Sequence, residues 1–178
     1  MHGIIFNELH RYALARMGEL GWGKLLQQAQ LSKRIYLAFK SYPDAEAVAL
    51  VTAASKLTGQ PARAILEDFG EFIAPNLLRS YQAVIRPGWS VLDVVEHVER
   101  IHDQVRNDPL ATPPHLACRR VGANTVQVSY ASPRQLCGVG IGFIRGIARE
   151  MGQVVEVTES QCMTTGAPSC EFQVRLAT

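Results

Sequence analysis

Apolar residues recur at helical spacing through the first half of the chain and switch to strand-like runs near Pro113. Residues 2–20 place Ile4, Ile5, Leu9, Tyr12, Ala13 and Met17 on one helical period. Gly18 and Gly21 punctuate that pattern, and a short helix is expected from Trp22 to Ala29. The stretch Lys33 to Lys40 suits a connecting loop that packs aromatic rings. Ser41-Tyr42-Pro43-Asp44 predicts a helix start, with a candidate cap, a proline in the first turn and acidic residues at the positive end. That helix runs to Lys56 and closes at Gly59. Pro61 opens the next helical segment, which contains Gly70 and Pro75. Pro75 lacks a backbone donor and crowds the carbonyl of Glu71, so a kink or break is expected between Glu71 and Ala74.

Arg86-Pro87-Gly88 marks a turn, and Ser90 with Asp93 forms a capping-box pattern. The helix that follows, through Asp108, puts Val91, Val94, Val95, Val98, Ile101, His102 and Val105 on one face. Glu96, His97, Glu99, Arg100, Asp103 and Arg106 fall on the other. Beyond the rigid connector Ala111 to His115, residues 115–121 and 125–131 predict strands joined by Gly122-Ala123-Asn124, a hairpin signature. Gln135 to Met151 returns to helix, lined by Gly138, Gly140, Gly142 and Gly146 and capped by Gly152. Val154 to Thr158 and Glu171 to Leu176 predict a second hairpin. The fold class is therefore α+β: helices first, then a helix-covered antiparallel sheet. No internal repeat or low-complexity segment is visible.

A length of 178 residues fits one domain with a substantial core, and 47% apolar with 19% charged residues excludes disorder. A net charge of +2 with no Lys/Arg run argues against a nucleic-acid partner. Glu8, His10, Arg11 and Arg16 interrupt the first residues, so no signal peptide is expected, nor is insertion into a membrane. A reducing cytoplasm follows as the expected location. There Cys118, Cys137, Cys162 and Cys170 would serve as thiols or metal ligands rather than in disulfides.

Candidate chemistry gathers between Ser90 and Arg134. A lone histidine on an apolar helical face, such as His102, is ordinarily a core residue with one hydrogen bond. Along a strand, however, Tyr130, Ser132 and Arg134 share parity and would project together. A phenol, a hydroxyl and a guanidinium converging there suit carboxylates or phosphate. The plainer alternative is a strand end with an exposed arginine and a capping serine.

Met1-x-Gly3-Ile4-Ile5-Phe6, Tyr42-Pro43-Asp44, Phe69-Gly70-x-Phe72, Ile101-His102, Pro113-Pro114 and Tyr130-x-Ser132-x-Arg134 occur in an order and spacing similar to those of one family. Over essentially its whole length the chain resembles the haem nitric oxide/oxygen binding (H-NOX) family. The resemblance implies a single H-NOX domain, with a distal helical subdomain over about 1–60 and a proximal haem-binding subdomain over about 61–178. It implies that His102 is the axial ligand of a b-type haem and that Tyr130, Ser132 and Arg134 hold the propionates. Pro114 would press on the porphyrin, in a pocket otherwise lined by Ile5, Leu77, Val139 and Phe143. Glycines on the helix carrying Val139 would admit a flat macrocycle, or else serve close helix packing.

Oxygen-binding members use a distal tyrosine and supporting donors, and the matching positions here are Val139, Leu9 and Ile73. The resemblance therefore implies nitric oxide, with carbon monoxide, in preference to oxygen. Cys137, Cys162 and Cys170 resemble a zinc-binding cluster of some members, linked there to redox sensing. Glu159 stands where those members have histidine, and a carboxylate can complete a tetrahedral zinc site. Cys118 lies outside the pattern. The implied activity is non-enzymatic: gas binding releases His102 from iron and alters the surface shown to a separately encoded histidine kinase or cyclic-diguanylate enzyme. The rival is a cysteine/zinc redox-sensing module in which haem is absent or secondary. A small-molecule binding module resembling the 4-vinyl reductase domain is a further alternative, but it gives no account of His102.

Overall fold

The computed structural model describes residues 1–31, 34–106 and 113–177, and of residues 104–106 the backbone alone. Four helices come first: α1 (Gly3–Met17), α2 (Glu19–Gln28), α3 (Asp44–Thr58) and α4 (Ala62–Ser80). Gly18, at φ 73°, ends α1 and starts α2 in one residue. The loop before α3 crosses α1 so closely that a Cβ on Gly3 would lie 2.0 Å from the Leu37 carbonyl oxygen. It does pack an aromatic: Tyr36 stacks on Phe6 at 4.1 Å and donates its hydroxyl to Glu46 at 2.8 Å. Phe6, Leu25, Leu26, Leu50 and Ile65 join Tyr36 in a first buried cluster. Ser41 does not cap α3. That helix starts after Pro43 without a side-chain cap, and Ser41 instead bridges His2 in the main chain.

Of the kink or break expected near Pro75, the break does not occur: helix α4 continues through it. One missing donor is outweighed because α7 (Cys137–Glu150) grips α4 along its length. A Cβ on Gly70 would lie 2.2 Å from the Val139 carbonyl oxygen, and one on Gly142 only 1.8 Å from that of Glu67. Gly138 and Gly146 likewise face α4, whereas Gly140 looks into open space. Close helix packing accounts for three of the four glycines, and only Gly140 suits a slot for a flat group.

The expected long helix after Ser90 is two helices, α5 (Val91–Glu96) and α6 (Val98–Arg106); Asn107 and Asp108 lie outside the described residues. Ser90 and Asp93 form the expected capping box. The break falls at His97, whose backbone leaves the helical region at φ −102°, ψ 6°. Its ring lies against Trp89 at 4.6 Å, and its Nδ1 sits 2.9 Å from the Asp93 carbonyl. No glycine or proline marks that joint.

Among the described residues, four strands close the fold: β1 (His115–Gly122), β2 (Thr125–Ala131), β3 (Val155–Gln161) and β4 (Cys170–Leu176). They form one antiparallel sheet in the order β1-β2-β4-β3, with both hairpins as expected. Val126, Val128 and Tyr130 of β2, with Cys170, Phe172 and Val174 of β4, bury one face in a second cluster with α5 and α7. Alternate positions such as Gln127, Ser129, Glu171 and Gln173 face the other way, and none of them is fully buried. Arg120 of β1 binds Asp93 at 2.7 Å and Glu96 at 3.0 Å, which pins α5 to the sheet. No helix among the described residues is long and apolar enough to cross a membrane.

Candidate functional site

Tyr130 ends the buried row of β2, but the strand stops at Ala131, so strand parity does not bring Ser132 and Arg134 beside it. A turn does. Pro133 supplies no ladder donor, and Gln135 takes φ 53°, which folds the chain back toward α7. Tyr130 Oη accepts from the Leu136 amide at 3.2 Å, and Ser132 Oγ accepts from the Arg134 amide at 3.3 Å. Both hydroxyls are buried, and burial raises the Tyr130 pKa above that of an ordinary phenol. The Arg134 guanidinium, 14% exposed, donates from Nε to Asp44 of α3 at 2.8 Å. Asp44 in turn takes the Met1 amine at 2.7 Å. All three expected anchors thus stand in one corner, tied to the start of the chain by Asp44, which the sequence marked as a helix-start and motif residue but not as a partner of Arg134.

His102 lies on α6, which packs on β1 beside the strand carrying Tyr130. Its side chain is 22% exposed, with Nδ1 3.8 Å from Glu99 Oε2. Pro114 is half-buried just ahead of β1, whereas Ala111 and Thr112 of the expected connector lie outside the described residues. Ile5 (α1), Leu77 (α4), Val139 and Phe143 (α7) are all half-buried. Their neighbours Phe6, Ile73 and Ile141 are sealed in the core. Leu9 is half-buried on α1. Two nearby phenols are already committed, Tyr12 to Asp68 at 2.7 Å and Tyr36 to Glu46. A cavity of about 210 Å³ between His10, Trp22, Arg34 and Tyr36 touches none of these expected contacts.

A second constellation forms where α7 meets the β3–β4 hairpin. Ligand atoms of Cys137, Glu159, Cys162 and Cys170 all lie within 4.8 Å of one another. Cys162 Sγ is 3.5 Å from Cys137 Sγ and 3.6 Å from Cys170 Sγ. The three cysteines are buried and Glu159 is half-buried. Burial raises the Cys137 pKa, with the neighbouring thiols adding to it. For Cys162 burial also acts upward, but hydrogen bonds from Thr164 and the other two thiols overcome it and lower its pKa. Sequence reasoning missed Arg63 of α4. It donates to Cys137 Sγ at 3.4 Å, to Cys162 Sγ at 3.7 Å and to Glu159 Oε2 at 3.2 Å. Cys118 sits in β1 as expected. Burial, with Glu99 and Glu96 nearby, pushes its pKa up to about 12.

The family model described as haem-NO-binding matches residues 2–159. No curated protein sequence matches the chain. Among solved structures, an H-NOX protein from S. oneidensis in the Fe(II)NO ligation state is similar at TM-score 0.90 and 27% identity, with all of both chains covered. The S. oneidensis domain in the Fe(II)CO state aligns at TM-score 0.87 and 27% identity, covering 100% of this chain and 99% of that one. An Fe(II) unliganded H-NOX protein from K. algicida, 19% identical, shares the fold at TM-score 0.88, covering 100% of this chain and 97% of its own. By the match over residues 2–159, the chain belongs to the haem-NO-binding, or H-NOX, family.

Proposed function

We propose that the chain is a haem-based gas sensor that binds nitric oxide, and also carbon monoxide, at a ferrous b-type haem. Members of this family are sensors rather than enzymes. The observation that carries the proposal is the corner of Tyr130, Ser132 and Arg134, one strand away from the helix that bears His102. The donor set fits the group: a guanidinium and two hydroxyls for propionates, and an imidazole for iron. Arg134 already holds a carboxylate, that of Asp44, so its fork is oriented for such a partner. Half-buried Ile5, Leu77, Val139 and Phe143, beside sealed neighbours, suit the walls of a slot.

His102 would supply one axial bond and Pro114 would bear on the ring. A bound haem would supply a ferrous iron able to take up a diatomic gas. Val139, Leu9 and Ile73 offer no donor to polarised oxygen, while nitric oxide needs none. Helix α6 joins α5 through the single residue His97, and Arg120 pins α5 to β1. If His102 were freed from the group it would hold, α6 could therefore shift about a fixed α5. That shift would change the surface met by a separately encoded histidine kinase or cyclic-diguanylate enzyme. The distal lobe, about 1–60, and the proximal lobe, about 61–178, are supported by two buried clusters, one spanning Phe6 to Ile65 and the other Ala74 to Val174.

At the second constellation the proposed group is zinc, on Cys137, Cys162, Cys170 and Glu159. The sulfur separations of 3.5 and 3.6 Å are close to the edge of a zinc tetrahedron, about 3.8 Å for Zn–S bonds of about 2.3 Å. The haem proposal is tested with purified protein reconstituted with haemin. It should show a Soret band that His102→Gly abolishes or makes dependent on added imidazole. An unchanged spectrum and haem content in that variant would move the axial ligand elsewhere.

A further inference from the structure

We infer that Arg63 is the positioning residue that lets Glu159 act as a metal ligand where a histidine would otherwise serve, an inference that rests on the zinc site proposed above. The two oxygens of Glu159 are unequal. Oε2 accepts a hydrogen bond from Arg63 Nη2 at 3.2 Å. Oε1 is buried and, among the described residues, has no hydrogen-bond partner. A buried carboxylate oxygen left without a partner is costly unless a cation completes it. This one belongs to a carboxylate grouped with three thiols at metal-ligand spacing.

A carboxylate can rotate and can ligate through either oxygen or both, so its geometry at a metal must be imposed from outside. Partners behind the ligands do this in metal sites generally. The Arg63 fork is suited to the task. One arm takes Oε2 and leaves Oε1 for the ion, while Nη1 points at Cys137 Sγ and Cys162 Sγ. Formally, three thiolates and one carboxylate exceed the charge of a divalent ion by two, and the guanidinium offsets one of these.

Arg63 is itself held in place. Its Nε donates to Glu67 Oε1 at 2.6 Å, and Glu67 Oε2 accepts from Arg145 of α7 at 2.6 Å. Gly138 keeps room for the stem, since a Cβ there would lie 3.1 Å from Arg63 Cδ. The guanidinium therefore reaches the cluster from a fixed base on the α4–α7 interface.

The test uses the reduced full-length chain, stripped of metal and titrated with zinc alone against a chromophoric chelator. The wild type should take about one zinc per chain. Arg63→Ala should weaken binding about 10- to 100-fold, with Arg63→Lys between the two because it keeps the charge but loses the fork. In a Glu159→His background, which has no carboxylate to orient, Arg63→Ala should change affinity far less. That loss of dependence separates positioning from a general effect on folding, which would persist in both backgrounds. No zinc in the wild type would overturn the zinc site and this role together. Equal affinity in wild type and Arg63→Ala, with zinc bound, would overturn the role alone. Tighter binding in Arg63→Ala would make Arg63 a competitor of the metal and overturn the role as well.

Discussion

Arg134 Nε donates to Asp44 Oδ2 at 2.8 Å, which joins the corner at the end of β2 to the first turn of α3 across 90 residues of sequence. On the proposed reading, a propionate would share this guanidinium with Asp44. Arg134→Ala should therefore lower haem retention well below that of Arg100→Ala, a variant at an exposed site on α6. Haem content per chain after gel filtration is the measurement. Equal retention would leave the propionate role of the corner without support.

Asp44 also makes the joint sensitive to acid. Burial alone would raise its pKa, but the ion pair with the Met1 amine and the hydrogen bond and charge of Arg134 hold it below the usual carboxylate range. A carboxyl whose folded pKa is depressed stabilises the fold above its unfolded pKa, about 3.9. That contribution disappears as pH falls through the lower, folded value. The denaturant midpoint of Asp44→Asn should therefore lie below wild type at pH 7 and approach it as pH drops below about 4. A constant gap between the two at every pH would show that this pair is not a titrating element.

The proposed gas preference rests on three apolar residues of α1, α4 and α7. Leu9, Ile73 and Val139 carry no polar hydrogen, and the Tyr12 and Tyr36 hydroxyls are held by Asp68 and Glu46. The reduced, haem-loaded protein should give stable nitric oxide and carbon monoxide spectra and no persistent oxygen complex in air. A lasting oxy spectrum in air-saturated buffer would point to a distal donor that these residues do not supply.

The thiol cluster predicts a separate response to peroxide. Two thiols 3.5 Å apart, Cys137 and Cys162, can give up two electrons and two protons to form a disulfide while hydrogen peroxide is reduced to two waters. Losing two thiolates should release the metal. Zinc freed per chain, read with a chromophoric chelator, should rise with peroxide in wild type. Cys170→Ser should hold no zinc before treatment yet keep its haem spectrum, since the two sites share no ligand. If Cys170→Ser left zinc content unchanged, the proposed ligand set would be wrong.

Much of this architecture was legible because local signals agreed with one another. The Ser90–Asp93 capping box, the Gly122 hairpin and the helical periods of α1, α3 and α7 each depend on residues close in sequence. The break at His97 was hidden because Val94, Val95, Val98 and Ile101 keep an unbroken apolar period across it. The strand end at Ala131 was legible in principle, since Pro133 cannot donate to a ladder, but the parity of Tyr130, Ser132 and Arg134 masked it. Asp44 and Arg63 escaped for a different reason. Their partners lie 90 and 96 residues away, and no local pattern records such a pairing.

The glycines of α7 give the sharpest contrast between neighbouring positions. Gly138, Gly142 and Gly146 recur every four residues, which places them on one helical face, and that face is pressed against α4. A Cβ at Gly142 would stand 1.8 Å from a backbone oxygen of Glu67, an atom that cannot move without shifting α4. Gly142→Ala should therefore destabilise the fold by about 3 kcal/mol or more, the upper end of ordinary overpacking. Gly140 meets nothing within 4 Å, so alanine there adds no clash. It should stabilise the haem-free protein by up to about 1 kcal/mol through helix propensity alone. Urea unfolding of the two haem-free variants beside wild type measures both effects. Similar midpoints for Gly140→Ala and Gly142→Ala would mean that α4 and α7 do not meet backbone to backbone at this face.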